Sequence, residues 1–556
     1  MKINFRNTLY GVIVCLSCFL AGALMGTKAD EQSITIGMIG EASKILGLSF
    51  TDAESDSMIT ELEDLRKSTI AIRKVALDNS VAPALNFNPI PVGYQYPDQA
   101  SGFKLGPLNK VSLPANRDEL AFYSVRELAD LIKNRKISSV ELTNFFIERL
   151  KKYNSKLFNV VSFTEERAIK QAALADAEIK AGKYRGVLHG IPFGVKDLLS
   201  TKDYKTTWGS VPYKYQVIAT DATVVKRLEA AGAVMIAKLT LGELAMGDVW
   251  FGGKTRNPWD LKRGSSGSSA GSASAVSAGC LPFAIGSETL GSIVSPSTEC
   301  GVSGLRPSFG RISKHGAMAL SWSMDKLGPI ARTVEDCALV FQEIYGSDGQ
   351  DLSVINAPFK YDGSKTLKGV RVGYLEKDFQ RKYPNRLNDS LTLVKLKELG
   401  AELVPIQLPQ MPYNDLVIIL SAEGGAAFQD LVISSKDDLL VMQNKNAWPN
   451  TFRGAQFISA ATYINANRVR TLLIQQIHQQ IKGLDLYISP SFGTNLTASN
   501  LSGHPSVVLP NGFNSRGLPA SITFMGQLFG EGKLLQAAQA YQQATDFHKK
   551  HPQLNF

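Results

Sequence analysis

Hydrophobic and polar residues recur along most of the chain at helical spacing. Two Ser-x-x-Glu pairs, Ser124 with Glu127 and Ser138 with Glu141, each precede apolar residues three and four positions apart. Such pairs are typical of helix starts, because the serine and glutamate side chains satisfy backbone N–H groups of the first turn. The pattern therefore predicts two amphipathic helices, followed by an Ala-rich helix over residues 165–181.

Short apolar segments with strand character follow and alternate with helices. Residues 190–196 predict a buried strand, residues 222–231 a helix that ends at Gly232, and residues 233–237 the next strand. The same helix, glycine and strand pattern returns over residues 391–404. Repeated alternation of this kind predicts an α/β fold with a large mixed β-sheet flanked by helices.

The chain before residue 116 has a different character and predicts an N-terminal helical extension with a Pro-rich connector, residues 30–115. Residues 35–46 form an apolar helical stripe, and Thr51 with Glu54 begins a second helix. Four prolines follow, at Pro83, Pro89, Pro91 and Pro97. Because proline lacks a backbone N–H, this connector cannot be regular helix or central strand. Residues 116–548 are predicted to form one large domain.

Residues 1–29 predict a secretory signal peptide. A basic start precedes an apolar run over residues 9–25, and no acidic residue comes before position 30. Cleavage is expected after Ala23 or Ala29. An uncleaved membrane anchor is the alternative, since about 17 apolar residues reach the lower limit for spanning a bilayer. We accordingly expect a secreted or periplasmic protein.

Composition and charge exclude few functions. The 556 residues carry 60 Lys and Arg against 50 Asp and Glu, a net charge of +10, without a long basic block. This distribution argues against nucleic-acid binding as the main function. Beyond the predicted signal peptide the cysteines are Cys280, Cys300 and Cys337, and an odd number does not indicate a disulfide framework.

The most unusual segment is residues 264–279, which contain seven serines, four glycines, four alanines and one valine. Composition alone would suggest a flexible linker. However, the apolar run 280–285 follows directly, and a linker would not lead straight into buried sequence. Small side chains instead allow backbone N–H groups to approach a reacting atom closely. A second tight turn, residues 286–293, places the Ser292 hydroxyl near free backbone amides, as an oxyanion hole requires.

Three kinds of serine enzyme compete for these residues. Residues 267–271 match G-x-S-x-G, but the nucleophile elbow needs a preceding strand, and we predict none over residues 262–266. Residues 323–326 match S-x-x-K without the companion motifs of that class. A Ser-His-Asp triad stays open, because triads are recognised by geometry and the six histidines show no informative spacing.

Several ordered segments together resemble the amidase signature family. The resemblance spans roughly residues 120–546 and rests on these segments: 190–197, 256–260, 266–279, 286–293, 300–311, 323–329 and 503–519. It implies a mixed sheet flanked by helices and a Ser-Ser-Lys triad that needs no metal or cofactor. By correspondence, Ser292 is the nucleophile, Ser268 the bridging serine after a cis peptide, and Lys196 the base. The oxyanion-hole amides are implied to be those of Thr289, Leu290, Gly291 and Ser292.

Elementary chemistry is consistent with a lysine base. A free lysine, with a pKa of about 10.4, is protonated at neutral pH, but burial disfavours the ammonium form. Strand alternation sends Lys196 and Asp197 to opposite faces, so this carboxylate should not neutralise the amine. The nucleophile turn departs from the common family pattern, because Leu290 stands where glycine is usual. Thr240 and Val294 also differ and affect expected substrate contacts.

These observations predict an amidohydrolase that cleaves a small-molecule carboxamide through an acyl-enzyme on Ser292. An esterase or acyl transferase with the same triad is the alternative, and a non-catalytic binding protein is a weaker one. An amidotransferase component that handles glutamine for transfer-RNA charging is a further possibility, which the predicted export signal disfavours. No nucleic acid and no membrane contact beyond an N-terminal anchor are expected, and specificity is expected to reside in residues 362–484.

Overall fold

The computed structural model describes residues 33–73, 75, 78–81, 85–97, 100–363 and 366–555. The predicted signal peptide, residues 1–29, lies outside the described residues. By its contacts the chain divides into two compact units, with the division between Asp78 and Asn79. Most of the Pro-rich connector is therefore part of the larger unit, although the sequence pattern suggested a boundary near residue 115.

Among its described residues, the smaller unit contains two helices, α1 (Ile36–Leu46) and α2 (Asp52–Arg73). The Thr35 side chain accepts a hydrogen bond from the first turn of α1, and Gly47 ends the helix with a φ of 67°. At the start of α2, Thr51 and Glu54 exchange hydrogen bonds of 2.7 and 3.3 Å between side chain and backbone. The predicted starts of both helices are confirmed.

The larger unit combines the remaining helices with short strands. Its α-helices are α3 (Val125–Lys133), α4 (Ser139–Leu157), α5 (Glu165–Lys180), α6 (Thr223–Ala230), α7 (Ala270–Ser277), α8 (Val294–Cys300), α9 (Val334–Ile344), α10 (Glu376–Gln380), α11 (Arg386–Glu398), α12 (Ile418–Ala427), α13 (Gln429–Ile433), α14 (Trp448–Ala455), α15 (Ala460–Gln480), α16 (Thr494–Ser502) and α17 (Glu531–Thr545). Short 3-10 helices cover Arg117–Phe122, Val211–Tyr213, Glu243–Ala245, Asp415–Val417, Lys436–Leu439 and Phe547–Lys549. Both predicted capping boxes, at the starts of α3 and α4, are present.

The strands are β1 (Gly102–Lys104), β2 (Val160–Phe163), β3 (Pro192–Lys196), β4 (Val234–Leu239), β5 (Val249–Trp250), β6 (Gly253–Lys254), β7 (Arg256–Asn257), β8 (Asp260–Gly264), β9 (Phe283–Glu288), β10 (Ser303–Arg306), β11 (Lys326–Ala331), β12 (Lys360–Asp362), β13 (Arg371–Leu375), β14 (Glu402–Ile406), β15 (Leu486–Pro490), β16 (Ser506–Phe513) and β17 (Pro519–Gly526). Within the described residues, eleven of them form one sheet in the order β14-β13-β15-β17-β16-β10-β11-β9-β3-β4-β2.

The main sheet is mixed. The run from β15 through β17, β16, β10 and β11 to β9 is antiparallel, whereas β9, β3 and β4 are parallel, as are β14, β13 and β15. All residues of β3, β4 and β9 are buried, which explains their nearly continuous apolar sequence. The predicted α/β fold with a large mixed sheet flanked by helices is confirmed.

Two local predictions were wrong. A strand does precede the G-x-S-x-G match, because Asp260–Gly264 pairs with β7 in a two-stranded ribbon outside the main sheet. In addition, residues 286–288 belong to β9, so the predicted turn before Ser292 begins only at Thr289. In both places hydrogen bonding to a neighbouring strand decides the conformation, and glycine and serine content alone does not reveal it.

No helix within the described ranges has the length and hydropathy needed to cross a bilayer.

The close packing of the sheet centre generates a stability prediction. A Cβ atom added at Gly328 on β11 would lie 2.0 Å from the Leu305 carbonyl oxygen, and backbone cannot move aside cheaply. We expect Gly328→Ala to lower the free energy of unfolding by at least about 2 kcal/mol. Urea unfolding followed by circular dichroism measures the change.

Gly454 on α14 provides the matched control, because a Cβ atom there meets nothing within 4 Å. Gly454→Ala should be neutral or stabilising by about 0.5–1 kcal/mol, since alanine favours a helix. Equal stabilities of the two variants would contradict the packing described for β11.

Candidate active site

Lys196 is the last residue of β3, at the point where three parallel strands end. Its side chain is fully buried. The Nζ atom lies 2.7 Å from Ser268 Oγ, 2.8 Å from Ser287 Oγ and 3.3 Å from Ser269 Oγ. The amine is thus surrounded by neutral hydroxyl oxygens. As predicted, Asp197 turns away, where it forms an ion pair of 2.9 Å with buried Lys238.

The hydroxyl protons around Lys196 have a defined arrangement. Ser269 Oγ donates to the Ser287 carbonyl oxygen at 3.0 Å and accepts from the Ser287 backbone N–H at 3.1 Å. Its proton is therefore engaged away from the lysine, so the Lys196 amine must donate to Ser269. A neutral amine that also donates to Ser287 has used both of its N–H groups. Its lone pair then remains for the Ser268 hydroxyl.

Burial shifts the protonation of this lysine. Removing the amine from water lowers the pKa of Lys196 from its ordinary value to about 7, although the charges of Asp325 and Glu288 oppose the shift. A substantial fraction of the amine is consequently neutral at physiological pH. Such a group can accept a proton without leaving the protein interior.

Ser268 lies immediately before α7, and the peptide bond between Gly267 and Ser268 is cis. Its side chain is buried and contacts Lys196. The neighbouring Ser269 is the serine of the G-x-S-x-G match, and both of its hydrogen bonds to Ser287 tie α7 to β9. Ser269 therefore supports the site and is not placed as a nucleophile.

Ser292 follows β9 and is 8% exposed. Its carbonyl oxygen accepts a hydrogen bond of 3.1 Å from the Ser269 N–H, which holds the nucleophile turn against the start of α7. Among the described residues, the Ser292 hydroxyl makes no hydrogen bond, either to Ser268 or to another side chain. The structure thus forms the link between Lys196 and Ser268 and leaves the Ser292 hydroxyl open to a ligand.

Glu288 organises the nucleophile turn. One carboxylate oxygen accepts the Ile293 and Val294 N–H groups at 2.8 and 2.9 Å, at the start of α8. The other accepts from Arg306 at 2.7 Å and from Asn500 at 2.8 Å. The sequence pattern did not single out Glu288 as a residue of the site. Its acidic side chain shortly before a glycine and serine was the available signal, but its partners lie far away in sequence.

The ionisation of Glu288 follows from these contacts. Burial by itself would raise the pKa of this carboxyl group, but the Arg306 guanidinium and the hydrogen bonds outweigh it and lower the pKa to about 2. Both groups of the ion pair are completely inaccessible to solvent. Glu288 is therefore a buried carboxylate whose acceptor positions are occupied.

A second carboxylate, that of the half-buried Asp325, holds the turn from the other side. Asp325 Oδ1 accepts a hydrogen bond of 2.6 Å from Thr289 Oγ1. Its Oδ2 accepts from the N–H groups of Leu320 and Ser321 at 2.8 and 3.0 Å. Burial raises the pKa of Asp325, and these three hydrogen bonds oppose the increase. The turn is consequently fixed at both Glu288 and Thr289.

The backbone N–H groups of residues 289–292 donate no hydrogen bond to any described residue. They are the four amides that the sequence analysis assigned to the oxyanion hole. Gly291 has a φ of 83°, and a Cβ atom there would lie 3.2 Å from the Leu496 side chain. Leu290, at the position where glycine is usual, is half-buried. The turn therefore accommodates the leucine and keeps its amides available.

The other serine-enzyme alternatives are not supported by the geometry. Ser323 contacts Glu423 and Arg470, and Lys326 donates to the Met324 carbonyl oxygen, so the S-x-x-K residues do not pair. No histidine among the described residues hydrogen-bonds to Ser292. The described residues also contain no group of three His, Cys, Asp or Glu side chains arranged to hold a metal ion.

Comparison with known proteins agrees with this geometry. The Amidase family profile matches residues 141–499, more than half of the chain. The chain belongs to the amidase signature family. The matched region begins after residues 79–97, which include most of the connector. Family membership indicates an enzyme that acts on amide bonds.

Similar relatives include components of amidotransferases as well as amidases. A glutamyl-tRNA(Gln) amidotransferase subunit of Coxiella burnetii is 33% identical over 480 residues, which covers 78% of this chain and 99% of the relative. The corresponding protein of Moorella thermoacetica is 34% identical over 484 residues, with the same coverage. The peptide amidase of Stenotrophomonas maltophilia has a TM-score of 0.70 at 29% identity and covers 78% of this chain and 99% of its own. An amidase family protein of Bacillus anthracis has a TM-score of 0.71 at 26% identity, with 79% and 93% coverage.

The buried Glu288 carboxylate generates a prediction for this amidase-family site. Glu288→Gln removes the charge opposite Arg306 and places an amide NH2 near backbone donors. We expect the free energy of unfolding at pH 7 to fall by about 3 kcal/mol or more. Because the folded pKa of about 2 lies below the ordinary value of 4.5, the stability that Glu288 contributes is complete above pH 4.5 and is lost as pH falls through about 2. Urea unfolding of both proteins between pH 7 and pH 2.5 tests this.

The exposed pair between Arg371 and Glu402 is the control. Glu402→Gln should change the stability by less than about 1 kcal/mol, because solvent screens exposed ion pairs. A Glu288→Gln protein as stable as the Glu402→Gln protein would contradict the role assigned to Glu288.

Proposed function

We propose that this member of the amidase signature family hydrolyses the C–N bond of a small carboxamide through an acyl-enzyme on Ser292. The observation that carries the proposal is the buried Lys196 amine, which lies 2.7 Å from Ser268 Oγ and has no carboxylate partner in the part of the chain that the structure describes. Neutral lysine is a competent base, and no histidine is needed to activate the nucleophile.

In the proposed reaction, protons move between Ser292, Ser268 and Lys196. The neutral Lys196 amine takes the Ser268 proton while Ser268 takes the Ser292 proton, and Ser292 Oγ attacks the amide carbon. The developing oxyanion accepts hydrogen bonds from the free N–H groups of residues 289–292. When the C–N bond breaks, the proton returns through Ser268 to the leaving amine. A water molecule then gives a proton to Ser268, which passes its own to Lys196, and attacks the acyl carbon. The C–O bond to Ser292 breaks, Ser292 Oγ takes the proton back through Ser268, and the carboxylic acid is released.

A glutamine-hydrolysing amidotransferase component is a second candidate, because the similar relatives of Coxiella burnetii and Moorella thermoacetica bear that type of name. Glutamine carries an ammonium and a carboxylate group and needs charged partners. Lys314 and Asp325 line a cavity beside the catalytic turn. Lys314 forms an ion pair of 3.1 Å with Asp351, and Asp325 accepts a hydrogen bond from the Thr289 hydroxyl. These internal pairs favour an uncharged amide. Comparing rates on glutamine and on neutral amides separates the two functions.

An esterase uses the same groups, since a serine nucleophile and an oxyanion hole act on both bond types. Return of the proton from Lys196 to the leaving group contributes more to the rate of amide hydrolysis than to that of ester hydrolysis, because an amine is a poorer leaving group than an alkoxide. Rates on an ester and an amide with the same acyl group distinguish the activities.

We also propose that the mature protein works outside the cytoplasm, on the basis of the signal-like residues 1–29. Cell fractionation and mass determination of the mature N-terminus test this separately from activity. A full-length protein confined to the cytoplasm would contradict it.

The catalytic assignment generates the central prediction. Ser292→Ala should lower amide hydrolysis by more than about 10⁴-fold, because no nucleophile remains. A fluorophosphonate probe should label the wild-type protein at Ser292 and should not label the variant. Ser269→Ala is the matched control, since its hydroxyl is not the attacking group and labelling at Ser292 should persist. Full activity of a folded Ser292→Ala protein would refute the assignment.

The protonation of Lys196 predicts the pH dependence of hydrolysis. Only the neutral amine is a base, so kcat/KM should rise with pH through about 7 and level off above it. Below the pKa the rate should fall about tenfold for each pH unit. Lys196→Met should be inactive but folded, because methionine fills a similar volume without a buried amine. A kcat/KM that is independent of pH between 5.5 and 8.5 would exclude Lys196 as the base.

A further inference from the structure

A cavity of about 440 Å³ opens beside the catalytic turn. Ser287, which contacts the Lys196 amine, and Thr289, which begins the oxyanion turn, both line it. The cavity therefore reaches a residue that contacts the Lys196 amine and the first residue of the nucleophile turn. Its volume lies within the range of small-molecule sites, about 300–1,000 Å³.

The inner lining of this cavity is largely apolar and includes Leu198, Met318, Trp322 and Leu327. The charged lining residues already have partners inside the protein. Lys314 Nζ lies 3.1 Å from Asp351 and 2.5 Å from Ser353 Oγ, and Asp325 accepts the Thr289 hydroxyl. A charged substrate group would have to displace one of these partners, whereas an apolar group would not.

One wall of the cavity comes from the Pro-rich connector, which the family profile does not include. Leu85 and Phe87 line the cavity, as does Asn79. Of the described lining residues, none comes from residues 362–484, where the sequence analysis expected specificity to reside. The connector therefore contributes directly to the cavity beside the catalytic turn.

The connector is held in this position at both ends. The Asn79 side chain accepts from the Ala319 N–H at 2.6 Å and donates to the Ala319 carbonyl oxygen at 2.9 Å. The centre of the Phe87 ring lies 3.4 Å from the buried Arg470 guanidinium carbon, and the ring packs edge-on against Phe309. Between these anchors, Leu85 is 72% exposed. An apolar side chain held at the rim of an apolar cavity gains from a ligand that covers it.

We propose that this cavity binds an apolar, uncharged group of the amide substrate and that the connector residues Asn79, Leu85 and Phe87 determine its selectivity. The inference rests on the proposed amidase activity and assigns its substrate class. The bound group is either the acyl chain or the substituent on the amide nitrogen, because both flank the scissile carbonyl.

Two series of neutral amides test the proposal on the purified protein. The first varies the acyl chain from acetyl to decanoyl with a methylamine leaving group, and the second varies the amine from methyl to octyl with an acetyl group. We expect kcat/KM to rise with chain length in one series, which then identifies the side that enters the cavity. Leu85→Ala should lower the ratio of kcat/KM for the longest over the shortest member about five- to tenfold.

Three further variants test the cavity assignment, and one of them, Leu387→Ala, is the control. Leu352→Ala changes another exposed leucine of the cavity rim and should lower the same ratio. Leu387→Ala changes a leucine of equal exposure, 71%, away from the cavity and should leave the ratio unchanged. Asn79→Ala releases one anchor of the connector and should reduce the ratio mainly through KM for the long substrates.

The outcomes separate this proposal from the proposed function. Labelling of Ser292 and hydrolysis of the shortest amides with no effect of chain length in either series would overturn the cavity assignment alone. An equal effect of Leu85→Ala and Leu387→Ala would do the same. Failure of both probe labelling and hydrolysis of every amide would overturn the proposed function, and the cavity assignment with it.

Discussion

A buried amine without a counter-charge is the constraint on which this site depends. Among the described residues, the Lys196 amine hydrogen-bonds only to hydroxyl and carbonyl oxygens, and burial lowers its pKa to about 7. Lys238 on the neighbouring strand is equally buried, but Asp197 lies 2.9 Å from its Nζ atom. A comparable carboxylate beside Lys196 would stabilise the ammonium and remove the base. Any acidic group near Lys196 must therefore be fully engaged by other hydrogen-bond donors.

Glu288 and Asp325 meet that requirement and also shape the nucleophile turn. The Glu288 oxygens accept hydrogen bonds from the start of α8, from Arg306 and from Asn500. The Asp325 oxygens accept hydrogen bonds from Thr289 and from backbone N–H groups before β11. Because both carboxylates accept backbone or guanidinium donors, they bind the turn rather than the lysine. The amides of residues 289–292 remain free of partners among the described residues as a result. The electrostatic isolation of Lys196 and the availability of these backbone amides thus have one structural cause.

The connector extends this organisation toward the substrate. Its contacts with Ala319 and Arg470 place a segment that precedes the matched profile region against the cavity beside Thr289. Lys196 lies at the end of the buried strand β3, while Ser268 precedes α7 and Ser292 follows β9, so packing of these elements positions all three. The rim of the cavity is built from loops and from the connector, which can differ between family members without disturbing the sheet. The reaction that family members share and the substrate selectivity of one member can therefore depend on separate parts of the chain.

The amino-acid sequence by itself determined the α/β class, the helix starts at Ser124 and Ser138, and the candidates Lys196, Ser268 and Ser292. Hydrophobic periodicity and capping are local, and the ordered motifs keep the reactive residues in recognisable surroundings. Only the tertiary structure decided that Glu288 binds Arg306 and Asn500, that Asp325 holds Thr289, and that β8 forms before the serine-rich segment. It also decided that Asn79 pairs with Ala319, 240 residues away. Such contacts join residues distant in sequence through burial and hydrogen bonding, and neither leaves a periodic signal in the chain.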